Sequence, residues 1–396
     1  MPQQMKRSYA MKKMTRTLKH LPSALRQIHQ LVSDPTLTQS YYPDLPRKSK
    51  LAIYADLIGW WLHHQEVNEF YFYYGLDRAS GVKASDYLSY PEFRTIRDTR
   101  NRKAAGTRRY SYVCLLRDKF VFGQLAASLG MPTPENMALC TSTSIRWIKE
   151  HREIPLDKLT DDPLLSIEAC CKSATGIGGE GVFFLKVNHG KLFINDQPAT
   201  LDQLRNAFTS TYLLQQPIQQ HPELSRLHPH SINTIRVITL NDNGKISVLW
   251  SALKVGTHGR RIDNAACGGV AALIDLATGR LRAPGVYSPG KGTVTDCHPD
   301  SKIRFEGFEV PFFKEAVQCV SELHRYLYGV HSIGWDIGIT PTGPTIIEGN
   351  DDWGGCFPMA FEPGFRTRFL QAYGILPTEN QVSTSSLTSH SGTYSS

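Results

Sequence analysis

Residues 334–350 alternate apolar and polar positions in two short stretches separated by Pro, Thr and Gly. Two apolar stretches joined by such a turn predict a β-hairpin. If Thr340 lies across from Pro344, a three-residue loop joins the strands, with Gly343 where a left-handed backbone is needed. The hairpin then has a defined register.

On this register, Asp336 faces Glu348 across the hairpin. Asn350 lies on the same face as Glu348, because side chains along a strand alternate with a period of two. Like charges directly opposite each other are destabilising unless something neutralises them, and a divalent cation is the simplest solution. Mg²⁺ binds through one or two carboxylates plus substrate phosphates, which predicts a metal site beside a nucleotide. The alternative is a solvent-facing hairpin whose carboxylates never meet.

Other periodic segments predict mixed strands and helices. A helix is expected to open at Asp118 and Lys119 and to stop before Gly130. Further hairpins are predicted over residues 182–194 and 233–250. These segments indicate an α+β body.

Changes in composition divide the chain into four predicted segments. They are a basic amphipathic leader and linker (1–50), a mostly helical region (51–109), the α+β body (110–375) and a disordered Ser/Thr-rich tail (376–396).

The net charge of +8 is concentrated in the leader, because residues 1–30 carry seven Lys and Arg and no acid. The rest of the chain is nearly neutral, which argues against a nucleic-acid-binding protein. The leader also has a helical apolar stripe, formed by Leu18, Leu21, Leu25, Ile28 and Leu31. This stripe predicts contact with an anionic membrane surface or an acidic partner, or simple packing on the protein itself.

No run of 18 apolar residues predicts a transmembrane span, and no secretory signal is expected. The eight cysteines have no CxxC spacing, so free thiols in a reducing compartment are favoured over disulfides or a zinc site. A cytoplasmic protein is the expectation.

A glycine-rich loop follows Lys172 and has the pattern GxGxxG, formed by Gly176, Gly178 and Gly181, with Gly179 as an additional glycine inside it. A dinucleotide fingerprint requires a helix after this loop, whereas here a predicted hairpin follows. Glycines between strands can offer backbone N–H groups to phosphates, and Lys172 adds a charge. The loop therefore predicts a flap over phosphates, with a plain surface turn as the alternative.

Two further segments carry candidate chemistry. The apolar run ending at Gln215, Gln216 and Ile218 could line an adenine slot with backbone groups, although other strand edges could do the same. Arg236 lies inside a strongly apolar strand, where an unpaired charge is costly. A ligand phosphate or a structural carboxylate would satisfy it.

Taken in order along residues 110–375, these motifs resemble the ATP-grasp superfamily, and within it the sugar-transfer-associated branch, which is related to α-L-glutamate ligases. The resemblance implies two α/β lobes clamping ATP, with Lys119, Lys172 and the glycine loop on the phosphates. It also implies an adenine hinge at Gln215, Gln216 and Ile218. The implied Mg²⁺ ligands are Asp336, Glu348 and Asn350, and the implied catalytic residues are Arg236, Lys254 and Asn264.

The chain departs from the family pattern at two places. Gln215 and Gln216 stand where an acidic residue is common, and Ser173 follows Lys172 where proline is common. The candidate ribose ligand, Glu223, lies near the expected spacing but not at it. These departures affect the hinge more than the metal site.

The resemblance implies an ATP- and Mg²⁺-dependent carboxylate–amine ligase acting through an acyl phosphate on a small-molecule acid and amine. Surface-polysaccharide or peptide-like metabolite assembly is the expected context. The alternatives are an ATP-dependent phosphotransferase and a non-catalytic nucleotide-binding protein that recruits glycan enzymes.

Overall fold

The computed structural model describes residues 20–35, 38–79, 81–104, 111–176, 181–261, 263 and 268–377. The chain forms two compact units. The first comprises Met1–Ile96, Pro289–Val294 and Gly354–Ser396, and the second comprises Arg97–Ser288 and Thr295–Trp353.

The helices, in chain order, are α1 (20–33), α2 (Lys50–His64), α3 (Tyr90–Lys103), α4 (Cys114–Arg117), α5 (Lys119–Ser128), α6 (Leu201–Ala207), α7 (Pro222–Leu227), α8 (Phe313–Tyr326), α9 (Cys356–Phe361) and α10 (Phe365–Ala372). The strands are β1 (Asn136–Cys140), β2 (Ser144–Trp147), β3 (Glu153–Pro155), β4 (Ile167–Ser173), β5 (Phe183–Asn188), β6 (Lys191–Ile194), β7 (Gln197–Pro198), β8 (Tyr212–Gln215), β9 (Ile235–Asp242), β10 (Lys245–Val255), β11 (Val270–Ile274), β12 (Leu281–Tyr287), β13 (Ser332–Thr340) and β14 (Gly343–Asn350).

The first unit is mainly helical in its described part. Ser49 caps α2 by accepting a hydrogen bond from the N–H of Ala52. In α1, Ile28 and Leu31 are buried, whereas Leu25 is 43% exposed. Leu21 is half-buried, so the described stripe packs on the protein mainly through Ile28 and Leu31, while Leu18 lies outside the described residues.

Two antiparallel sheets build the second unit. The strand order is β3-β2-β1-β8-β4-β5-β6-β7 in the first sheet and β12-β11-β10-β9-β13-β14 in the second. Each sheet has its own apolar core. Helix α8 packs on the second sheet. Its buried residues recur at three- or four-residue steps and are Phe313, Ala316, Val320 and Leu323.

The structure has the predicted helix and hairpins. Asp118 caps α5 by accepting from the N–H groups of Phe120 and Val121 at 2.9 and 3.0 Å, which fixes Lys119 as the first helical residue. The predicted hairpins correspond to β5 with β6 and β9 with β10.

The predicted turn of the β13–β14 hairpin is wrong by one residue. Thr340 pairs with Gly343 rather than Pro344, so two residues form the loop instead of three. The Thr340 hydroxyl closes this shorter turn, because it accepts from the N–H of Thr342 and donates to the carbonyl of Gly343.

A β-bulge compensates for the shorter turn. Ile337 pairs with Ile346 and Asp336 pairs with Glu348, so Ile347 is the extra residue on β14. The bulge restores the predicted pairing of Asp336 with Glu348. The predicted pairing of Asp336 with Glu348 is therefore correct, although the predicted length of the turn is not.

A buried hydrogen-bonded chain fixes the centre of the second sheet. The Trp335 indole donates to the Thr239 hydroxyl, which lies 2.7 Å from Nδ1 of His324. Nε2 of His324 lies 3.0 Å from the carbonyl of Val330. Since a carbonyl can only accept, Nε2 carries the proton and Nδ1 accepts from Thr239, so His324 is neutral.

Because this hydrogen-bonded chain holds His324 in its neutral form, we expect the protein to lose stability in mild acid. Burial lowers the pKa of His324 to about 4, and burial also lowers that of His331 to about 4. An unfolded histidine titrates near pH 6.5, so between about pH 6.5 and 4 the unfolded chain binds protons that the folded protein does not. We expect the melting temperature to fall across this window, and His324→Gln to reduce the proton uptake on unfolding. A melting temperature that stays constant from pH 6.5 to 4 would contradict this.

Within the part of the chain that the structure describes, no helix is long and apolar enough to cross a bilayer.

Candidate active site

A cavity of about 730 Å³ lies in the second unit and is lined by residues of both sheets. It brings together eleven of the predicted site residues: Lys119, Lys172, Gly176, Gln215, Gln216, Ile218, Arg236, Lys254, Asp336, Glu348 and Asn350. These residues span more than 200 positions of the sequence, so the tertiary fold brings them together at the cavity wall.

The remaining predicted residues fall into two groups. Gly178, Gly179 and Asn264 lie outside the described residues. Gly181 and Glu223 are described but are not among the residues that line this cavity. Glu223 lies in the first turn of α7, and its exposed carboxylate accepts from Arg226 at 2.6 Å. The structure therefore gives no support to Glu223 as a ribose ligand.

Asp336 is the electrostatic centre of the cavity. Its carboxylate accepts two hydrogen bonds from Arg236, at 2.8 and 2.9 Å, and lies 2.9 Å from the ammonium of Lys254. Asp336 pairs directly with Arg236 between β13 and β9, which explains the bidentate contact. Burial alone would raise the pKa of Asp336, but the two cations hold it well below its usual range.

The neutralisation of Asp336 differs from the prediction. A divalent cation was expected to balance the charges of Asp336 and Glu348, whereas Arg236 and Lys254 already neutralise Asp336. Because the partly buried guanidinium of Arg236 also needs a counter-charge, the contact satisfies both groups. Of the alternatives for Arg236, the structure shows the carboxylate partner.

Glu348 and Asn350 offer oxygen ligands to the cavity. Nδ2 of Asn350 lies 3.3 Å from Oε1 of Glu348 and 3.4 Å from the carbonyl of Gly334. Since both neighbours are acceptors, the amide nitrogen points toward them, which leaves Oδ1 of Asn350 for another partner. This carbonyl oxygen and the Glu348 carboxylate form a donor set that fits Mg²⁺. Asp336 can add a contact through Oδ2, which accepts one hydrogen bond in the structure.

Lys119 connects the helix α5 to the glycine loop. Its backbone N–H donates to the carbonyl of Ala174 at 2.8 Å, and its ammonium donates to the carbonyl of Gly176. The ammonium also lies 3.7 Å from Oε2 of Glu348. One cation thus lies beside both the loop and the acidic hairpin.

Lys172 is a buried cation on the cavity wall. It is 8% exposed, and burial lowers the pKa of its ammonium. Among the described side chains, none lies within ion-pairing distance of this ammonium. A buried charge without a partner is costly, so the position favours an anionic ligand.

Replacing Lys172 by Met should separate ligand binding from stability. Losing a charge-assisted hydrogen bond, worth about 1.5–3 kcal/mol, should weaken ATP binding about ten- to a hundredfold. The nucleotide-free melting temperature should stay the same or rise, because an unpaired buried charge is removed. Calorimetric titration and thermal unfolding measure the two quantities. Lys186→Met, at an exposed site on β5, is the matched control, and unchanged ATP affinity in Lys172→Met would contradict the assignment.

Two hydrogen-bond donors of the predicted adenine hinge are already bonded to other residues of the protein. The Gln215 side chain donates to Asn136 at 2.6 Å, and the N–H of Gln216 donates to the carbonyl of Glu135 at 3.0 Å. Hydrogen bonding to a base would therefore use groups of this segment other than these two donors. Gln215 and Gln216 both line the cavity.

Asp263 is a cavity residue that the sequence argument did not assign. Its carboxylate accepts from the N–H of Thr234 at 2.9 Å and from the Thr234 hydroxyl. Burial raises the pKa of Asp263, although Lys254 opposes this. Neither periodicity nor a motif marks Asp263 as a site residue. The only feature of the sequence that pointed to it was its position next to the predicted Asn264.

The sequence profile of the sugar-transfer-associated ATP-grasp family matches residues 103–374. The chain belongs to this family. The predicted ATP-grasp fold is therefore confirmed, and family membership supports an ATP-dependent enzyme of the ligase type. None of the curated proteins matches the chain.

The solved structures to which the chain is similar include several ligases. An L-amino acid ligase from Bacillus licheniformis is 14% identical, with a TM-score of 0.37, and the match covers 66% of this chain and 48% of that one. D-alanyl-alanine synthetase A from Vibrio cholerae is also 14% identical, with a TM-score of 0.37 and coverage of 69% and 66%. The chain thus spans about half the length of the first of these proteins.

Proposed function

We propose that this ATP-grasp protein is an ATP- and Mg²⁺-dependent ligase that joins a carboxylate to an amine through an acyl phosphate. One observation carries the proposal: a single cavity presents four cationic side chains beside three oxygen ligands, namely Lys119, Lys172, Arg236 and Lys254 with Asp336, Glu348 and Asn350. Phosphoryl transfer depends mainly on positioning and on electrostatic stabilisation of charge, which such a cavity can provide.

Two lysines and the acidic hairpin would hold the triphosphate. The buried ammonium of Lys172 and the ammonium of Lys119 at the glycine loop supply positive charge for phosphate oxygens. Glu348 and Asn350, with help from Asp336, would hold Mg²⁺, which would supply positive charge to offset that of the phosphates.

Arg236 and Lys254 are suited to the transferred phosphoryl group and the oxyanion. Asp336 fixes both cations before any substrate binds, so little reorganisation is needed during the reaction. Arg236 uses two N–H groups for Asp336 and retains others for a ligand. Asp336 would therefore position two cations in addition to contacting Mg²⁺.

We propose that another part of the same cavity binds the acid and the amine. Arg261 and Asp263 both line the cavity. Arg261, which also donates to the carboxylate of Asp196, would bind the carboxylate of the acid, and Asp263 would bind the ammonium group of the amine. We propose small acids and amines as substrates. The sugar-transfer association of the family supports surface-polysaccharide assembly, and peptide-like metabolites are the second context.

We place the reaction in the cytoplasm, where ATP is supplied. The acid-free basic segment of residues 1–30 is proposed to contact an anionic membrane surface or an acidic partner. Deleting residues 1–19, which precede α1, should leave the activity in solution intact, whereas α1 itself carries buried residues such as Ile28.

Product analysis tests the proposed reaction. The full-length protein would be incubated with ATP, Mg²⁺ and a matrix of amino acids and sugar acids. A ligase releases ADP and inorganic phosphate only when both the acid and the amine are present. The product mass then equals the sum of the acid and the amine less one water. A phosphotransferase would instead leave the phosphate on one substrate. AMP as the product would contradict both reactions.

A further inference from the structure

A second cluster of metal-binding side chains lies beside the cavity and has no role in the proposed reaction. It consists of His228, at the C-terminal end of α7, together with His298 and Asp300. One ligand atom of each residue lies within 4.8 Å of the others. Both histidines are almost completely buried, at 1% and 0% exposure.

Hydrogen bonds fix the tautomers of both histidines. Nε2 of His228 lies 2.9 Å from the carbonyl of Arg260, and Nε2 of His298 lies 2.7 Å from the carbonyl of Gly256. A carbonyl can only accept, so each Nε2 carries a proton and each Nδ1 has a lone pair. A metal-binding histidine typically donates its other N–H to a carbonyl or carboxylate in this way.

The carboxylate of Asp300 is oriented toward the same point. Its Oδ2 accepts from the backbone N–H of His258 at 2.6 Å and lies 3.7 Å from Nδ1 of His228. Tetrahedral ligands about 2.0–2.1 Å from zinc are separated by about 3.4 Å, which is close to this distance. The exposed ring of His258, with Nδ1 3.6 Å from Oδ1 of Asp300, is available as a fourth ligand.

His298 has a competing contact. Its Nδ1 accepts from the N–H groups of Asp300 and Ser301, at 3.3 and 3.2 Å. Both distances are at the long end for such bonds, and the two donors share one lone pair. A metal would replace them as the partner of Nδ1, while the contact of His298 with Gly256 would be kept.

We propose that His228, His298 and Asp300 bind a late first-row divalent metal ion, of which Zn²⁺ is the natural probe. Two imidazoles with one carboxylate suit Zn²⁺ and related ions, whereas Mg²⁺ prefers oxygen ligands alone. The site is therefore chemically distinct from the acidic hairpin of Asp336 and Glu348.

The bound metal would stabilise one wall of the cavity. The carbonyls of Gly256 and Arg260, which accept from the two histidines, belong to the same segment as the cavity residues Arg261 and Asp263. His230, two residues after His228, also lines the cavity. A metal at this cluster would connect the end of α7 to this segment and hold it in place.

Metal titration of the full-length, nucleotide-free protein tests the proposal. After removal of metals with a chelator, Zn²⁺ would be titrated against a chromophoric competitor, and thermal unfolding would be followed in parallel. We expect one saturable Zn²⁺ per chain, a raised melting temperature and no displacement by millimolar Mg²⁺. Asp300→Asn should weaken Zn²⁺ binding at least tenfold, because it removes the only anionic ligand.

A matched variant controls for surface carboxylates. Asp162→Asn also alters an exposed aspartate that accepts a backbone N–H, from Leu164 at 2.9 Å, and it should bind Zn²⁺ like the wild type. Asn at position 300 can still accept from His258, so the metal-free melting temperature of Asp300→Asn should be unchanged. His228→Gln should likewise weaken binding. Absence of saturable Zn²⁺ binding, or equal affinity in wild type and Asp300→Asn, would overturn the proposal.

Discussion

Replacing Asp336 by Asn is expected to destabilise the nucleotide-free protein by about 3–5 kcal/mol and to abolish ATP turnover. Asn has nearly the same shape but no charge, so Arg236 and Lys254, whose side chains are only 22% and 16% exposed, would lose their counter-ion. Removing one partner of a buried ion pair has this large cost because the remaining charge is poorly solvated. Denaturant unfolding measures the stability, and ADP release measures the turnover.

Asp351 provides the matched control for this effect. It makes the same bidentate contact with Arg117, at 2.9 Å for both hydrogen bonds, but the Arg117 side chain is 63% exposed. Water can solvate that guanidinium after Asp351→Asn, so the loss of stability should be clearly smaller than for Asp336→Asn. Wild-type stability in Asp336→Asn would show that Asp336 is not the counter-ion that the structure indicates.

Glu348→Gln is expected to reduce turnover at least a thousandfold while changing stability by less than about 1 kcal/mol. Glu348 is partly exposed, and its described ion pair with Lys119 is long, at 3.7 Å. The folded protein therefore depends little on this charge. The proposed Mg²⁺ site depends on it strongly, so the Mg²⁺ concentration needed for half-maximal activity should also rise.

The control for Glu348→Gln is Glu153→Gln. Glu153 also lies on a strand and pairs with an exposed arginine, Arg146, but it does not line the cavity. Its replacement should change neither turnover nor the Mg²⁺ requirement. If Glu348→Gln retained wild-type turnover, the acidic hairpin would not be the metal site.

The sequence predicted those parts of the fold that local patterns determine. Asp118 with Lys119 marked the start and Gly130 the end of one helix, and period-two alternation marked the strands around Asp336 and Glu348. The length of the β13–β14 turn was missed because it depends on the Thr340 hydroxyl, and the bulge at Ile347 has no sequence signal. Alternation alone cannot show such compensating shifts.

The chemistry of the site was predictable only in part. Lys172 and the acidic hairpin were found through spacing and family resemblance, but the contact of Asp336 with Arg236 joins strands separated by 100 residues. The cluster of His228, His298 and Asp300 likewise comes from distant segments and matches no metal-binding spacing. Tertiary packing brings these groups together, so no local pattern could reveal them.

Calorimetric titration of the full-length protein with a non-hydrolysable ATP analogue, with and without Mg²⁺, tests the central claim most directly. The claim is that Lys172, Glu348 and their neighbours in the cavity bind Mg²⁺ and a triphosphate together. The expected result is one nucleotide per chain, bound at least ten times more tightly with Mg²⁺ than without it. No binding, or the same affinity in the presence and absence of Mg²⁺, would contradict the claim.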